Sequence, residues 1–383
     1  MEKELGIYVH IPFCESKCYY CNFASYCNMD GQIKEYIDAV CKEIMSQAEI
    51  LSEYKIKTVY IGGGTPSYIN SEYIKQIINT LKLFQKSEDE FFEVTIEINP
   101  NSASLEKVIE YKNSGVNRIS IGLQSTEDSI LKNIGRVHKY EDFLNALKYV
   151  KEAGVDNVSV DLMYPLPGLD LSILNTELDK ILSLKDEFNI KHISIYNLEV
   201  HEDTKLDFLL KNDFLELVDE DEEYEMRKLI YTKLSDNGFN NYEISNFAIP
   251  GFESVHNTNY WNQTYYLGIG VAASSFMLGS RYKNTDNVKQ YINGINNFSN
   301  YIDEKDDLDK LDLMKEYVIL QLRLIKGVSK NSFKRKFDVD IDDIFAVEIR
   351  DLIKKQLLID DGKNIYLSER GKEIANIVWE KFI

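Results

Sequence analysis

The sequence predicts an α/β fold, built as a partial (β/α)6 barrel with a small α+β module at its C-terminal end. Six short apolar or β-branched segments alternate with stretches in which apolar residues recur every three to four positions. Repeated β-α units of this kind form a parallel sheet covered by helices. The predicted strands are residues 6–11, 58–62, 93–98, 117–123, 157–163 and 192–198.

The length of the chain predicts more than one domain. It has 383 residues, of which 44% are hydrophobic, and this is enough for a large core and a smaller second one. We predict the barrel over residues 1–238, a segment rich in aromatic residues and Asn over 239–300, and a separate domain over 301–383. The last region contains helices, a turn between two short strands and a final helix, so it resembles a winged helix.

Charge and cysteine content restrict the partners and the compartment. A net charge of −19 disfavours nucleic acid and anionic lipid as partners. The apolar run 5–13 is too short for a membrane span and has no basic segment before it, so we expect neither export nor direct membrane insertion. Five cysteines, an odd number, favour a reducing compartment. We therefore expect a cytoplasmic protein.

Polar or glycine-rich residues stand at the carboxyl end of each predicted strand. Three cysteines follow the first strand, and Gly-Gly-Gly-Thr follows the second. Ligands of parallel β/α folds bind at this end of the strands, so we expect one shared pocket. Each of the remaining side chains, taken singly, is also typical of a cap or a loop hydrogen bond. They are Glu97, Gln124, Asp161 and Asn197.

The three clustered cysteines favour a metal site, for which two kinds of metal are open. A structural zinc site has four ligands, and Cys27 or His10 would have to supply the fourth. A 4Fe–4S cluster instead takes one thiolate per iron, so three cysteines leave one iron free for a small molecule. Cys41 lies in an amphipathic stretch and is expected in the core.

The spacing Cys-x3-Cys-x2-Cys after the first strand, with GGGTP after the second, resembles the radical S-adenosylmethionine (SAM) superfamily. The resemblance covers all six β-α units. It implies a 4Fe–4S cluster on the three cysteines, whose open iron binds the amino and carboxylate groups of SAM. It also implies which residues hold SAM. The implied cluster ligands are Cys14, Cys18 and Cys21, and the implied SAM contacts are Tyr8, Tyr20, Gly63, Gly64, Thr65, Glu97, Gln124, Arg136 and Asp161.

Further motifs narrow the resemblance to one group of that superfamily. YVHIPFC, GGGTPS, EINP, IGLQS, IGR and VDLMYPLPG are similar to the oxygen-independent coproporphyrinogen oxidases and the HemW-type haem chaperones. The oxidases have a further cysteine two residues after the third, where this chain has Phe23, and a longer N-terminal extension than the 13 residues that precede Cys14. Both differences favour the chaperone branch.

A second signature lies in residues 239–300. HNTNYW, from His256 to Trp261, resembles the H-N-x-x-Y-W pattern of the haem chaperones and implies a haem-chaperone-type segment. In this interpretation His256 contacts haem, and Tyr260 and Trp261 offer flat apolar surface to the macrocycle. The alternative is that these residues hold the segment against the barrel.

Together these features predict a haem chaperone that carries a 4Fe–4S cluster, SAM and haem, and that delivers haem to apo-haemoproteins. Two alternatives stay open: an oxygen-independent coproporphyrinogen III oxidase, and a radical SAM enzyme with an unrelated substrate. The sequence assigns no side chain to catalysis, no haem acceptor and no oligomeric state.

Overall fold

A computed structural model describes residues 3–85 and 91–383 of the chain. Its main sheet has twelve strands, of which the first six run parallel, side by side and in chain order. The predicted α/β fold and the position of each of these strands are confirmed. The six strands are β1 (Glu4–Ile11), β2 (Lys55–Gly63), β3 (Glu93–Ile98), β4 (Arg118–Gln124), β5 (Val158–Tyr164) and β6 (Ile190–Asn197).

Helices connect these strands, and side-chain caps mark where several of them begin. The Asn70, Ser104 and Asp170 side chains each accept a hydrogen bond from a backbone N–H in the first turn of the helix that follows. The connecting helices are α1 (Ile33–Ser46), α2 (Ala48–Glu53), α3 (Ser71–Lys82), α4 (Leu105–Ser114), α5 (Asp128–Asn133), α6 (Tyr140–Glu152) and α7 (Leu171–Leu184).

The parallel strands have one aliphatic face and one polar face. Alternate residues of a strand point to opposite sides, and on one side of β1 these are Leu5, Ile7, Val9 and Ile11, which share a buried core with the helices. The opposite face carries polar and aromatic residues in the neighbouring strands as well. Examples are Tyr8, His10, Tyr60, Glu97, Ser120, Asp161 and His192.

The segment after β6 extends both edges of the parallel sheet. A hairpin adds to β6, while a strand pairs in parallel with β1 and begins an antiparallel series that ends in an exposed, charged edge strand. The predicted domain limits at 238 and 300 stay predictions. The added strands are β7 (Asn240–Glu243), β8 (Asn246–Ala248), β9 (Tyr266–Ile269), β10 (Ser274–Met277), β11 (Ser280–Asn284) and β12 (Ile302–Asp307), and the helices are α8 (Lys205–Lys211), α9 (Glu220–Asp236), α10 (Val255–Trp261) and α11 (Val288–Asn297).

The C-terminal module has the element order of a winged helix and a core of its own, which includes Tyr317, Phe333 and Phe345. Its three-stranded antiparallel sheet follows the order β13-β15-β14, and the predicted α+β module is confirmed. The elements are α12 (Lys310–Gln321), β13 (Val328–Ser329), α13 (Lys330–Phe337), α14 (Ile341–Lys354), β14 (Leu358–Asp360), β15 (Asn364–Leu367), α15 (Glu369–Glu373) and α16 (Ala375–Trp379). Among the helices of the described ranges, none has both the length and the apolar character of a membrane span.

A buried carboxylate joins α1 to the extended part of the sheet. Glu43 Oε2 accepts hydrogen bonds from the Gly270 N–H at 2.8 Å and the Tyr291 hydroxyl at 2.5 Å. Its Oε1 accepts from Asn284 Nδ2 at 2.8 Å. Burial raises the pKa of Glu43 to about 7, although these donors oppose the shift. The native state therefore binds a proton that the unfolded chain releases at lower pH.

We predict that Glu43→Gln alters the pH dependence of stability. Between the ordinary value of 4.5 and about 7 the native protein binds more protons than the unfolded chain, so its free energy of unfolding falls as the pH rises through this window. The expected fall is on the order of 3 kcal/mol, and glutamine removes it. Urea unfolding of both proteins at about pH 5 and about pH 8 measures the difference, with the exposed Glu49→Gln as control. The prediction would be contradicted if the difference in free energy of unfolding between wild type and Glu43→Gln were the same at both pH values.

Candidate functional site

The loop after β1 carries the three cysteines and is tied to the loop before α6. Cys14 N–H donates to the Tyr26 carbonyl at 3.0 Å, and Tyr19 N–H donates to the Ile134 carbonyl at 2.9 Å. The Tyr19 ring packs on Gly135, where an added Cβ would lie 2.3 Å from the ring and where φ is +75°. The glycine of the IGR motif therefore lets the cysteine loop approach its neighbour.

A chain of hydrogen bonds links two of the thiols across the carboxyl ends of the strands. Thr65 Oγ1 donates to Cys14 Sγ at 3.4 Å and accepts from Asn99 Nδ2 at 3.2 Å. Arg136 completes the chain, because it donates to Asn99 Oδ1 at 2.8 Å and to Cys18 Sγ at 3.4 Å. Burial raises the pKa of the Cys14 thiol to about 11. These donors would stabilise both sulfurs as thiolates.

The remaining thiols differ in position. Cys21 Sγ lies 3.6 Å from Ser25 Oγ in the same loop. Cys27 is half-buried further along that loop and adds to the rise in pKa that burial causes at the Cys14 thiol, whereas Cys41 is half-buried on α1. Among the described residues, no group of three or more His, Cys, Asp or Glu side chains could hold one metal ion. In this arrangement the described side chains are not gathered around one point in the way that a mononuclear zinc site gathers its ligands. A 4Fe–4S cluster has a different requirement, because each thiolate binds a separate iron.

The glycine turn after β2 brings its backbone against the cysteine loop. Gly63 has a φ of +113°, which favours glycine, and its N–H donates to Glu97 Oε2 at 3.1 Å. A Cβ on Gly64 would lie 3.0 Å from Cys14 Sγ. The turn thus borders a thiol on one side and a carboxylate on the other.

Two half-buried acids lie on the polar face of the sheet. Glu97 Oε1 accepts from the Tyr60 hydroxyl at 2.7 Å, and Asp161 Oδ1 accepts from Ser120 Oγ at 3.0 Å. Desolvation raises the pKa of Glu97 to about 7, and the charge of Asp161 adds to this shift. Desolvation also raises the pKa of Asp161, against its hydrogen bonds to Ser194 and Ser120. A cationic ligand group beside these acids would favour their ionised forms.

Gln124 and Arg136 meet beside β4. An added Cβ on Gly122 would lie 3.2 Å from both Gln124 Nε2 and Arg136 Nη2. Gln124 itself has a φ of +71°. Gln124 Oε1 and Arg136 Nε are shielded from solvent and have no hydrogen-bond partner among the described residues. Unpaired buried polar atoms of this kind indicate a ligand that would complete their bonds.

The two predicted tyrosines lie at different places. Tyr20 belongs to the cysteine loop, between Cys18 and Cys21, where burial raises its pKa and the nearby Cys18 adds to the shift. Tyr8 instead donates to His10 Nδ1 at 3.0 Å, because His10 Nε2 donates to the Ala24 carbonyl at 2.8 Å. Burial lowers the pKa of His10. A neutral imidazole thus joins Tyr8 to the end of the cysteine loop.

His256 lies on the polar face between β1 and β2, with its imidazole buried and engaged on both sides. Its Nδ1 is 2.8 Å from Thr58 Oγ1 and its Nε2 is 2.9 Å from the Tyr260 hydroxyl. The ring stacks on Tyr60, and Glu93 accepts from the His256 N–H at 2.9 Å. Burial lowers the pKa of His256 to about 3. Contact with haem iron stays a prediction, and it requires the bond to Tyr260 to break.

A cavity of about 420 Å³ is bordered by Tyr260, the residue whose hydroxyl bonds His256. This volume is typical of small-molecule sites. Its walls come from the end of the cysteine loop, the HNTNYW helix, strands β9 to β11 and the C-terminal module. Aromatic side chains form much of the lining: Tyr8, Phe23, Tyr260, Trp261, Tyr266 and Phe276.

Several residues of the site were not predicted. Asn99 stands within the quoted EINP motif, yet only the fold shows that it joins Thr65 to Arg136. His10 stands within YVHIPFC and was weighed only as a zinc ligand. Tyr266 and Arg281 belong to short strands without a clear sequence pattern, so nothing local indicated that they line the cavity.

Comparison with known proteins agrees with this architecture. The Radical SAM superfamily model matches residues 8–181, and the HemN C-terminal domain model matches residues 308–374. The structure is similar to that of coproporphyrinogen III oxidase from Escherichia coli, with a TM-score of 0.86 over 100% of this chain and 90% of that chain at 23% identity. At this identity the likeness concerns the fold alone.

Curated relatives match the chain from end to end. The Bacillus subtilis protein named heme chaperone HemW is 35% identical over 98% of this chain and 98% of its own length. The Lactococcus lactis protein of the same name is 34% identical over 100% and 98%. A mouse protein, radical S-adenosyl methionine domain-containing protein 1, mitochondrial, is 30% identical over 97% of this chain and 85% of its own length. The chain therefore belongs to the HemW family of the radical SAM superfamily.

Proposed function

We propose that this protein is a haem chaperone that carries a 4Fe–4S cluster and SAM, binds haem and transfers it to apo-haemoproteins. The full-length similarity to proteins named haem chaperones carries the proposal. Phe23 supports it against the oxidase alternative, because the oxidases that the chain resembles have a cysteine at that position.

In this proposal Cys14, Cys18 and Cys21 hold the cluster. When bound, a 4Fe–4S cluster supplies an electron and one iron site that is open to SAM. Thr65 and Arg136, which donate to Cys14 Sγ and Cys18 Sγ, would stabilise these sulfurs as thiolates in such a site. The cysteine loop suits a 4Fe–4S cluster because hydrogen-bond donors already point at two of its three sulfurs.

The same strand ends supply the proposed SAM site. The unpaired Gln124 Oε1 requires a donor and the unpaired Arg136 Nε–H requires an acceptor, and an amino acid moiety has both in its ammonium and carboxylate. Glu97 and Asp161 suit an ammonium or ribose hydroxyls, and the backbone of Gly63 and Gly64 lets the ligand approach closely. These residues orient the ligand and shield it from water.

Haem is proposed to occupy the cavity beside the cysteine loop. The rings of Phe23, Tyr260 and Trp261 offer the flat apolar surface that a macrocycle requires. His256 is the proposed iron ligand, from its place in the HNTNYW motif. Tyr260 stands between the cavity and His256 Nε2, so iron ligation depends on a turn of the Tyr260 side chain.

We predict that the anaerobically reconstituted protein binds haem and leaves coproporphyrinogen III unconsumed. Haem titration followed by the Soret band and a parallel assay of porphyrinogen loss measure the two properties on one preparation. Cys21→Ser, which should lack the cluster, serves as the control for haem that binds without it. Turnover of coproporphyrinogen would favour the oxidase, and absence of haem binding would contradict the chaperone.

A second prediction concerns SAM. Glu97→Ala and Asp161→Ala should each weaken SAM binding by about 1–3 kcal/mol, the usual cost of leaving one partner of a buried polar contact unmatched. Glu93→Ala is the matched control, because Glu93 lies at the opposite end of the same strand and caps α10. Calorimetry should show unchanged SAM affinity in that control. Equal affinities in all four proteins would remove both acids from the site.

A third prediction identifies the iron ligand. If His256 binds iron, His256→Ala weakens haem binding and shifts the Soret band, whereas Tyr260→Phe frees His256 Nε2 and keeps or raises the affinity. SAM affinity and 4Fe–4S absorbance should stay near wild type in both variants. A folded His256→Ala protein with a wild-type haem titration and spectrum would show that the iron is held elsewhere.

A further inference from the structure

The aromatic cavity contains polar atoms without partners. Trp261 Nε1, Gln263 Oε1 and Arg281 Nε are shielded from solvent and form no hydrogen bond with the described residues. All three residues line the cavity. Two of these atoms are N–H donors, and one belongs to a cation. A bound ligand with an anionic acceptor could pair with these two donors, Trp261 Nε1–H and Arg281 Nε–H, since an unmatched buried donor is costly.

Arg281 dominates the charge of this cavity. It is the one charged side chain among the described residues that line it, because burial keeps His10 neutral. Arg281 lies on β11, where its guanidinium is 5.8 Å from the ring of Phe276. In a chain with a net charge of −19, a cation in an aromatic cavity marks where an anionic group can bind.

The guanidinium has donors to spare. One nitrogen, Nη2, donates to Glu316 Oε1 on α12 at 2.8 Å, and Glu316 Oε2 accepts from Gln263 Nε2 at 2.8 Å. A guanidinium has five N–H donors in a planar fork. The ion pair with Glu316 therefore fixes Arg281 at the edge of the cavity while Nε remains free for a second carboxylate.

We propose that the cavity binds a flat, carboxylate-bearing tetrapyrrole, with a ring carboxylate held by Arg281 and the macrocycle against the aromatic wall. This inference rests on the proposed haem-binding function, and it adds the group that orients the ligand. Arg281 positions the macrocycle and does not contact the iron. Glu316 holds the guanidinium in place and competes with the ligand for it.

The experiment compares a ligand that has carboxylates with one that lacks them. Haemin and haemin dimethyl ester are titrated into the cluster-loaded protein and its Arg281→Gln variant. Wild type should bind haemin about tenfold to a hundredfold more tightly than the diester. Arg281→Gln should lose this preference and bind the diester as wild type does. Arg350→Gln, an exposed arginine on α14, is the matched control and should keep the preference.

A second variant acts in the opposite direction. Glu316→Gln removes the competing carboxylate, so haemin should bind several-fold more tightly while the diester is unaffected. The role of Arg281, and only that, would be overturned if Arg281→Gln kept the wild-type preference for haemin over the diester. It would also be overturned if Arg281→Gln lost affinity for both ligands equally and Glu316→Gln gained no affinity for haemin. Failure of wild type to bind either ligand would instead overturn the haem-binding function, and this inference with it.

Discussion

Separation of the two strand faces is the constraint on which the rest of this structure depends. The aliphatic residues of β1 and its neighbours are committed to the core beneath the helices. The opposite face must therefore satisfy its polar groups within the sheet or through a ligand, because unmatched buried polar atoms are costly. The pairs Tyr60–Glu97 and Ser120–Asp161 do so within the sheet. At the carboxyl ends Gln124 Oε1 and Arg136 Nε do not. These unmatched atoms support the proposed SAM site at the carboxyl end of the sheet.

The parallel core was accessible from the sequence because β-branched runs and helical periodicity are local patterns. The ends of the strands were less accessible from the sequence. β2 begins at Lys55, three residues before the predicted start, because the lysines there interrupt the apolar pattern by which the strand was recognised. The cysteine loop and the glycine turn were recognised because their residue types are chemically unusual. The hydrogen-bonded link from Thr65 through Asn99 to Arg136 could not be recognised from the sequence, because it joins three separate loops and depends on their distance in space.

The HNTNYW segment is a second case in which a motif does not reveal the surroundings of its residues. Its sequence indicates a function but not the burial of His256, which depends on Thr58 from β2 and on Glu93 from β3. Of the residues in this motif, Tyr260 and Trp261 line the cavity. Other parts of the wall come from β1, the end of the cysteine loop, β9 to β11 and Leu320 of α12. Strands β9 to β11 are short, and β9 pairs in parallel with β1 across more than 250 residues of chain, so no local pattern could reveal the cavity.

The open sheet ends at β12, and its composition bears on how copies of this protein meet. Residues Asp303 to Asp307 are all exposed and carry four acids and one lysine. An edge strand has unpaired backbone donors and acceptors that invite pairing with another chain, and charged side chains oppose it. Two such edges would bring like charges together before any backbone bond formed. The chain therefore keeps an extended sheet without offering a template for aggregation along that side.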